Sequence, residues 1–285
     1  MNNNLKEKIT KYIFVVFTSL SIFAVLFICY FLFSKGIPTI LNVGVKEFLL
    51  GNVWQPSSNL YGIMPMILGS IYTTLIAIII GVPVGVLSAI FLARFCPKGI
   101  YKYLKPCVNL LAGIPSVVYG FFGLMVVVPF IRDSFGGRGS SLLAAGLVLS
   151  MMILPTIINI CESSLRAVDD SYYEASLALG ASNERSIFRI VLPAAKSGIF
   201  AGIILGIGRA IGETMAVVMV AGNQAIIPNH LLNGVRTLTT NIVLEMGYAQ
   251  DLHRDALIAT GVILFIFILI INLVFNYVKG RSVNE

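Results

Sequence analysis

One polar segment of the chain runs Ser171-Tyr-Tyr-Glu174-Ala175-Ser176-Leu-Ala-Leu-Gly180 and continues, after nine residues, with Ile190-Val-Leu192-Pro193. Ser171 and Glu174 have the spacing of a capping box, in which each side chain accepts a hydrogen bond from the other residue's backbone N–H. This spacing predicts a helix from Tyr172 to Leu179. Gly180 supplies the left-handed residue with which helices commonly end.

A second short helix is predicted directly after this turn. Ser182 is a good N-cap residue for it, and Pro193 is expected to end it. The whole connection covers residues 162–197 between two apolar runs, which is far longer than a simple link requires. We therefore expect a rigid helix–turn–helix that protrudes from the molecule and is held by another protein.

Composition places this loop in a membrane protein. Hydrophobic residues make up 57% of the 285 residues and charged residues only 12%, about half the charged share of a soluble domain. Each of six apolar runs is long enough to cross a bilayer. They are Tyr12–Ser34, Ile63–Ala93, Pro106–Ile131, Leu142–Cys161, Gly198–Ala221 and Ala256–Val278. The predicted fold class is an all-α integral membrane protein of about six transmembrane helices.

The same pattern predicts the organisation of the chain. Residues 1–62 form a tail, the first helix and an external segment, residues 63–279 form a transmembrane domain that includes the loop 162–197, and residues 280–285 form a tail. Thirteen of the 20 Lys and Arg residues fall on the side of both termini and six on the other side. Because the cytoplasmic side carries the excess, both termini are predicted to be cytoplasmic. The net charge of +7 thus indicates a lipid bilayer as partner and no nucleic acid.

The remaining polar residues predict few sites. His230 and His253 lie in the third external segment, residues 222–255, and are expected to be solvated. No histidine has a ligand spacing from the four cysteines, so no metal site is predicted. The second run contains Gly81, Pro83 and Gly85, and the third contains Gly113, Pro115 and Gly120. These residues predict helix interruptions, either lining a pathway or as the Gly and Pro that membrane helices commonly contain.

Two charges in the fifth run are candidates for a substrate pathway. Arg209 lies near the middle of this run and Glu213 follows at i+4, on the same helix face. A charge inside the bilayer is a functional hypothesis by default. Arginine suits an oxyanion because its planar fork donates two hydrogen bonds. Glu213 would either lower the net field or accept a proton, and the alternative is a neutral pair that only fixes helix packing.

The loop resembles the EAA motif, E-A-A-x-x-x-G-x9-I-x-L-P, of permeases from binding-protein-dependent ABC importers. The matching residues are Glu174, Ala175, Ser176, Gly180, Ile190, Leu192 and Pro193. Ser176 departs from the pattern, which usually has Ala. The resemblance implies a type I ABC importer permease fold in which this loop is the coupling helix that seats in an ATPase.

Three further strings are similar to the PstC-type permease of phosphate-specific importers. They are Gly208-Arg-Ala-Ile-Gly-Glu-Thr-Met-Ala-Val217, Pro115-Ser-Val-Val-Tyr-Gly-Phe-Phe-Gly123 and Asn241-Ile-Val-Leu-Glu-Met-Gly-Tyr248. This resemblance implies translocation of inorganic phosphate at the cytoplasmic membrane. It also implies a second, PstA-type permease, two copies of an ATPase subunit and an external phosphate-binding protein.

No phosphate-binding loop G-x-x-x-x-G-K-[ST] and no catalytic constellation occur in the sequence. We therefore expect a transport subunit that is not itself an enzyme, with ATP and Mg bound by the partner ATPase. Two alternatives stay open: a permease for another oxyanion, and an ion-coupled secondary transporter that works alone. A membrane-bound enzyme or sensor is disfavoured, because the sequence has neither a catalytic constellation nor a soluble domain.

Overall fold

The computed structural model describes the backbone of residues 3–283 and the side chains of residues 7–274. The helices in chain order are α1 (Asn3–Val43), α2 (Val45–Leu50), α3 (Met64–Ile90), α4 (Lys98–Gly113), α5 (Ser116–Phe122), α6 (Val128–Phe135), α7 (Leu142–Arg166), α8 (Asp170–Ala178), α9 (Asn183–Ser186), α10 (Leu192–Ala194), α11 (Lys196–Gly212), α12 (Met215–Val220), α13 (Leu238–Glu245) and α14 (Asp251–Val283). Two short antiparallel strands, β1 (Trp54–Gln55) and β2 (Leu60–Tyr61), flank the 3-10 turn Pro56–Ser58. π-helical turns at Phe91–Phe95, Gly123–Val127 and Ile187–Val191 continue their neighbouring helices.

The predicted class of an all-α membrane protein is confirmed. Within the described residues, five helical segments are long and apolar enough to cross a membrane: Glu7–Val43, Met64–Phe95, Ser116–Phe135, Leu142–Arg166 and Asp251–Val274. The number reaches six if a bent pair of helical segments, Asn183–Ala194 and Lys196–Gly212, counts as one span with a 71° bend.

The centre of the bundle is the packing of α3 against α7. A Cβ atom added at Gly81 would lie 2.8 Å from Cδ1 of Ile153, and one at Gly85 would lie 2.8 Å from Cγ2 of Ile157. The predicted interruption of the second span is therefore wrong, because α3 runs unbroken through Pro83. Its glycines allow a close approach of two helices.

The third predicted span, Pro106–Ile131, begins in the wrong place. α4 ends at Gly113, Ile114 and Pro115 are extended, and a new helix begins at Ser116. The residue before a proline is biased away from the helical conformation, which explains the break at Ile114. The predicted interruption at Gly113 and Pro115 is thus confirmed, whereas Gly120 lies inside α5 and interrupts nothing. The spanning segment is Ser116–Phe135.

α1 and α14 pack at the side of this bundle. Phe33 and Phe265 meet edge to face with their ring centroids 5.6 Å apart. Most other apolar side chains of α1, such as Phe14 and Phe27, are exposed. Such a surface is compatible with lipid and not with water.

The two ends of α3 define the two ends of the molecule. Near its start, Ser70 Oγ accepts a 3.0 Å hydrogen bond from the backbone N–H of Leu238. Just after its end, Arg94 donates to Asp170 Oδ1 at 2.8 Å. At 1.5 Å per residue these points are about 35 Å apart. We call the region of β1, β2, α2, α13 and residues 222–237 the hairpin end, and the region of α8–α10 the loop end.

Candidate functional sites at the loop end, the broken helix and the hairpin end

The first helix of the loop end starts earlier than its sequence predicts. α8 begins at Asp170, and its N-cap is Asp169, whose carboxylate accepts the backbone N–H of Ser171 at 2.9 Å. The predicted capping box between Ser171 and Glu174 is therefore wrong. The carboxylate of Asp169 satisfies a first-turn donor and favours the positive end of the helix dipole. Hydrogen bonding from Ser171 holds the pKa of the Asp169 carboxylate below its usual value.

The turn that follows α8 agrees with its prediction. Gly180 has φ of +84°, the left-handed conformation that glycine adopts without strain. Ser182 caps α9 by accepting the backbone N–H of Arg185 at 3.3 Å. Pro193 was predicted to end the second helix, but the chain stays helical to Ala194. The π-helical turn Ile187–Val191 precedes this proline, and the chain bends by 71° between Ala194 and Lys196.

The motif residues of α8 lie on an accessible surface. Glu174, Ala175 and Gly180 are exposed. Ser176 is half-buried, and its hydroxyl lies 2.9 Å from the hydroxyl of Ser186 in α9. The departure from Ala at this position therefore adds a hydrogen bond that holds the two short helices together.

Apolar side chains project from the same loop. Leu179 is 90% exposed, and Tyr172 and Phe188 are also exposed. Of the remaining motif residues, Ile190 and Pro193 are exposed and Leu192 is half-buried. Exposed apolar residues on a segment outside the predicted spans are candidates for contact with another protein. Sequence reasoning missed Leu179, although a leucine directly before the helix-ending glycine is a usable signal.

Arg94 attaches the loop end to the bundle. Its guanidinium donates to Asp170 Oδ1 and to the backbone carbonyl of Leu165, both at 2.8 Å. Its side chain is only 13% exposed. The first turn of α8 is thus bonded to the end of the α3 span. The sequence did not reveal this contact, because Arg94 and Asp170 are 76 residues apart.

A buried carboxylate lies in the last turns of α7. Glu162 has a side-chain exposure of 2% and accepts from Lys105 Nζ at 2.6 Å, Tyr101 Oη at 2.7 Å and Arg166 Nε at 2.8 Å. The guanidinium of Arg166 also lies 4.4 Å from the centroid of the Tyr101 ring. These contacts join α4 to α7 immediately before the loop. Sequence analysis assigned Glu162 only to the loop, although the i, i+4 pair with Arg166 was visible.

The fifth predicted span, Gly198–Ala221, is a broken helix. α11 ends at Gly212, Glu213 is extended with φ of −71° and ψ of 133°, and α12 begins at Met215. The prediction that Arg209 and Glu213 share one helix face is therefore wrong. The carboxylate of Glu213 instead accepts the backbone N–H of Ala216 at 3.1 Å, as a group preceding a helix does.

Both predicted pathway residues lie beside this break. Arg209 is half-buried and donates from Nη1 to Thr156 Oγ1 in α7 at 3.2 Å. Glu213 is also half-buried. Among the ion pairs formed by the described side chains, none joins these two residues. The arrangement leaves a cation and a carboxylate near each other with separate partners.

The hairpin end contains a second buried carboxylate, Glu245 at the end of α13. It accepts from Trp54 Nε1 at 2.8 Å and from Arg236 Nη1 at 2.6 Å, and it lies 2.8 Å from His253 Nε2. The prediction that His253 is solvated is therefore wrong, because its side chain is half-buried and lies next to the Trp54 ring. Burial raises the pKa of Glu245, but the hydrogen bonds from Trp54, His253 and Arg236 outweigh it, so the pKa lies below its usual value.

Comparison with known proteins identifies the family of this chain. Residues 81–283 match the family described as binding-protein-dependent transport system inner membrane component. The chain belongs to this family. The chain is 39% identical over 258 residues to the probable ABC transporter permease protein YqgH of Bacillus subtilis, and the match covers 88% of this chain and 84% of the relative. It is 34% identical over 256 residues to the phosphate transport system permease protein PstC of Mesorhizobium japonicum, covering 82% and 78%.

A solved permease structure shares the fold. A chain from the inward-facing MetNI methionine ABC transporter superposes with a TM-score of 0.64 at 19% identity, covering 81% of this chain and 99% of the other. The predicted type I ABC importer permease fold is therefore confirmed. The roles of the loop residues, of Arg209 and of Glu213 in this permease stay predictions.

Proposed function

We propose that this permease belongs to an ATP-driven, binding-protein-dependent importer and translocates inorganic phosphate across the cytoplasmic membrane. One observation carries the substrate: the 34% identity, over most of both chains, to a permease named for phosphate transport. The family match disfavours an ion-coupled secondary transporter that works alone. Another oxyanion is disfavoured by the same relative, because its name specifies phosphate.

The loop end is the proposed contact with a separate ATPase, present in two copies, which binds ATP and Mg. The exposed side chains of Leu179, Tyr172 and Phe188 give this surface an apolar character, and partner association buries such patches. A displacement of the loop would reach α3 through the bond between Arg94 and Asp170. The remaining partners are a PstA-type permease and an external phosphate-binding protein.

The broken helix is the proposed phosphate pathway. Arg209 has five N–H donors, and the hydrogen bond to Thr156 uses one of them. The others are suited to a phosphate oxyanion. A conducting site must bind its ion favourably yet release it. Glu213 is proposed to weaken binding, either by lowering the net field or by accepting a proton from monobasic phosphate.

Both termini are proposed to be cytoplasmic, which places the loop end inside and the hairpin end outside. The Lys and Arg distribution of the sequence supports this orientation. Single cysteines at positions 98 and 185 should react with a membrane-impermeant maleimide only from the cytoplasm, and one at the exposed position 231 only from outside. Labelling of position 185 from outside would reverse the orientation.

Reconstitution tests the function directly. The permease, a PstA-type partner, the ATPase and the phosphate-binding protein are placed in proteoliposomes, and uptake of radiolabelled phosphate is measured with and without ATP. The proposal expects uptake that requires ATP and all four components. Uptake without the ATPase would instead support a secondary transporter, and ATP-driven uptake of sulfate or molybdate but not phosphate would change the substrate.

Gly180 offers a matched test of the loop contact. A Cβ atom at this position would meet nothing within 4 Å, so only its φ of +84° constrains the residue. Gly180→Val should misshape the turn and abolish uptake, whereas Gly180→Asn tolerates the left-handed conformation and should keep most of it. Normal ATP-dependent uptake by Gly180→Val, at matched membrane abundance, would remove the coupling role of the loop.

A further inference from the structure

α13 is a short helix with an unusual content of buried polar residues. Thr239, Thr240, Asn241 and Glu245 are all buried. Burying polar groups is unfavourable unless each one has a hydrogen-bonding partner. The partners of this helix are therefore informative, because they show what the buried polar groups hold in place.

At its first turn, α13 reaches the break of the pathway helix. Thr239 Oγ1 donates a 3.0 Å hydrogen bond to the backbone carbonyl of Glu213. In a continuous helix this carbonyl would accept from the N–H four residues later, and the break removes that partner. Thr239 thus satisfies an acceptor that the break has left open, and it does so from a separate element of the chain.

At its last turn, α13 is held by three other segments. Glu245 receives hydrogen bonds from Trp54 in β1, from Arg236 in the preceding loop and from His253 in α14. Thr239 and Glu245 lie six residues apart on one helix, which is about 9 Å. The backbone N–H of Leu238 is also fixed to Ser70 in α3. One rigid helix therefore connects the hairpin end with the segment that carries Glu213.

We infer that Thr239 is a positioning residue for the Glu213 segment and that α13 transmits displacements of the hairpin end to the break between α11 and α12. This inference rests on the proposed function insofar as the break lines the phosphate pathway. A protein that binds at the hairpin end and shifts Trp54 or Arg236 would move Glu245 and, through α13, the carbonyl that Thr239 holds.

Thr239→Val tests the inference, since valine keeps the branched shape and removes the hydroxyl. Thr260→Val is the matched control, because Thr260 is also buried and its hydroxyl donates within α14, to the backbone carbonyl of Ala256 at 2.9 Å. Thr239→Ser should restore the wild-type behaviour. In the reconstituted importer, Thr239→Val is expected to lower phosphate uptake about fivefold, the factor for one hydrogen bond of typical net strength, with ATP hydrolysis within about twofold.

A second measurement does not depend on transport. Met215 at the start of α12 is exposed, and Met215→Cys is introduced after replacement of Cys29, Cys96, Cys107 and Cys161. Its maleimide labelling rate should change several-fold in Thr239→Val and in Trp54→Phe, which removes one bond to Glu245, but not in Thr260→Val. If Thr239→Val does not assemble, the labelling rate of position 215 in Trp54→Phe tests whether α13 transmits the displacement.

Two results would overturn the inference. One is equal labelling of position 215 in wild type, Thr239→Val and Trp54→Phe. The other is a parallel loss of uptake and ATP hydrolysis in Thr239→Val, which indicates a structural role alone. A wild-type importer without ATP-dependent phosphate uptake would contradict the proposed function instead, and the labelling rates would still decide the role of Thr239.

Discussion

Glu162 and Glu245 are two buried carboxylates near opposite ends of the molecule, with similar sets of partners. Each contacts two basic side chains and one aromatic donor. The difference lies in the exposure of the basic partners. Lys105 and Arg166 beside Glu162 are 25% and 45% exposed, whereas Arg236 and His253 beside Glu245 are 17% and 15% exposed. A more exposed cation is rehydrated more completely when its carboxylate is removed, so the loss should cost less beside Lys105 and Arg166 than beside Arg236.

The two carboxylates also connect different numbers of elements. Glu162 and Arg166 lie on one helix, and Lys105 and Tyr101 lie on its neighbour α4. Glu245 collects donors from β1, the loop before α13 and the start of α14. Glu162 thus joins two neighbouring helices beside the loop end, while Glu245 joins α13 to three other segments at and beside the hairpin end.

The largest effect on stability is expected from Glu245→Gln. This change leaves the half-buried Arg236 without its carboxylate, and the cost should approach the roughly 3–5 kcal/mol that is typical of breaking a buried pair. The thermal unfolding of the purified permease in detergent should shift strongly downward. Exposed Glu47 in α2 provides the control, because Glu47→Gln should change the free energy of unfolding by no more than about 0.5 kcal/mol.

A smaller effect is expected from Glu162→Gln. Lys105 and Arg166 are more exposed than Arg236, so the free energy of unfolding should fall by only about 1–3 kcal/mol. The exposed Glu184 of α9 gives the matched control, Glu184→Gln. A loss of stability in Glu162→Gln equal to or greater than that in Glu245→Gln would show that partner exposure does not govern these two sites.

The smallest effect concerns pH. Because the pKa of Glu245 is lower in the folded protein, its ionised form contributes stability that is present above the unfolded pKa of about 4.3. That contribution is lost as the pH falls through the lower folded value. The difference in stability between wild type and Glu245→Gln should therefore narrow below about pH 4. A difference that stays constant to about pH 2 would rule out this carboxylate as the source.

The sequence predicted the features that local residues determine. The left-handed Gly180 and the Ser182 cap are confirmed, because each depends on residues within one turn. The capping box at Ser171 failed because Asp169 competes as N-cap only two residues earlier. The start of the third span failed because hydropathy does not mark a break between two helices, whereas Pro115 does.

Tertiary contacts explain the features that the sequence did not predict. The prediction that Arg209 and Glu213 share a face assumed a continuous helix. At the break, the carbonyl of Glu213 instead accepts a hydrogen bond from Thr239, which is 26 residues away. The contact between Trp54 and Glu245 joins residues 191 positions apart. The predicted solvation of His253 failed for the same reason. No pattern along a single sequence indicates such distant partners.

Phosphate uptake by the double variant Arg209→Gln, Glu213→Gln tests the central claim most directly. Glutamine at position 213 keeps an oxygen that can accept the Ala216 N–H, so the break should persist, and both charges are removed together. Uptake is measured at matched membrane abundance, beside each single variant. If Arg209 contacts phosphate, uptake by the double variant should stay at least about tenfold below wild type, the loss expected from about 1.4 kcal/mol of charge-assisted hydrogen bonding. Wild-type uptake would contradict the account and leave the two residues a packing role alone.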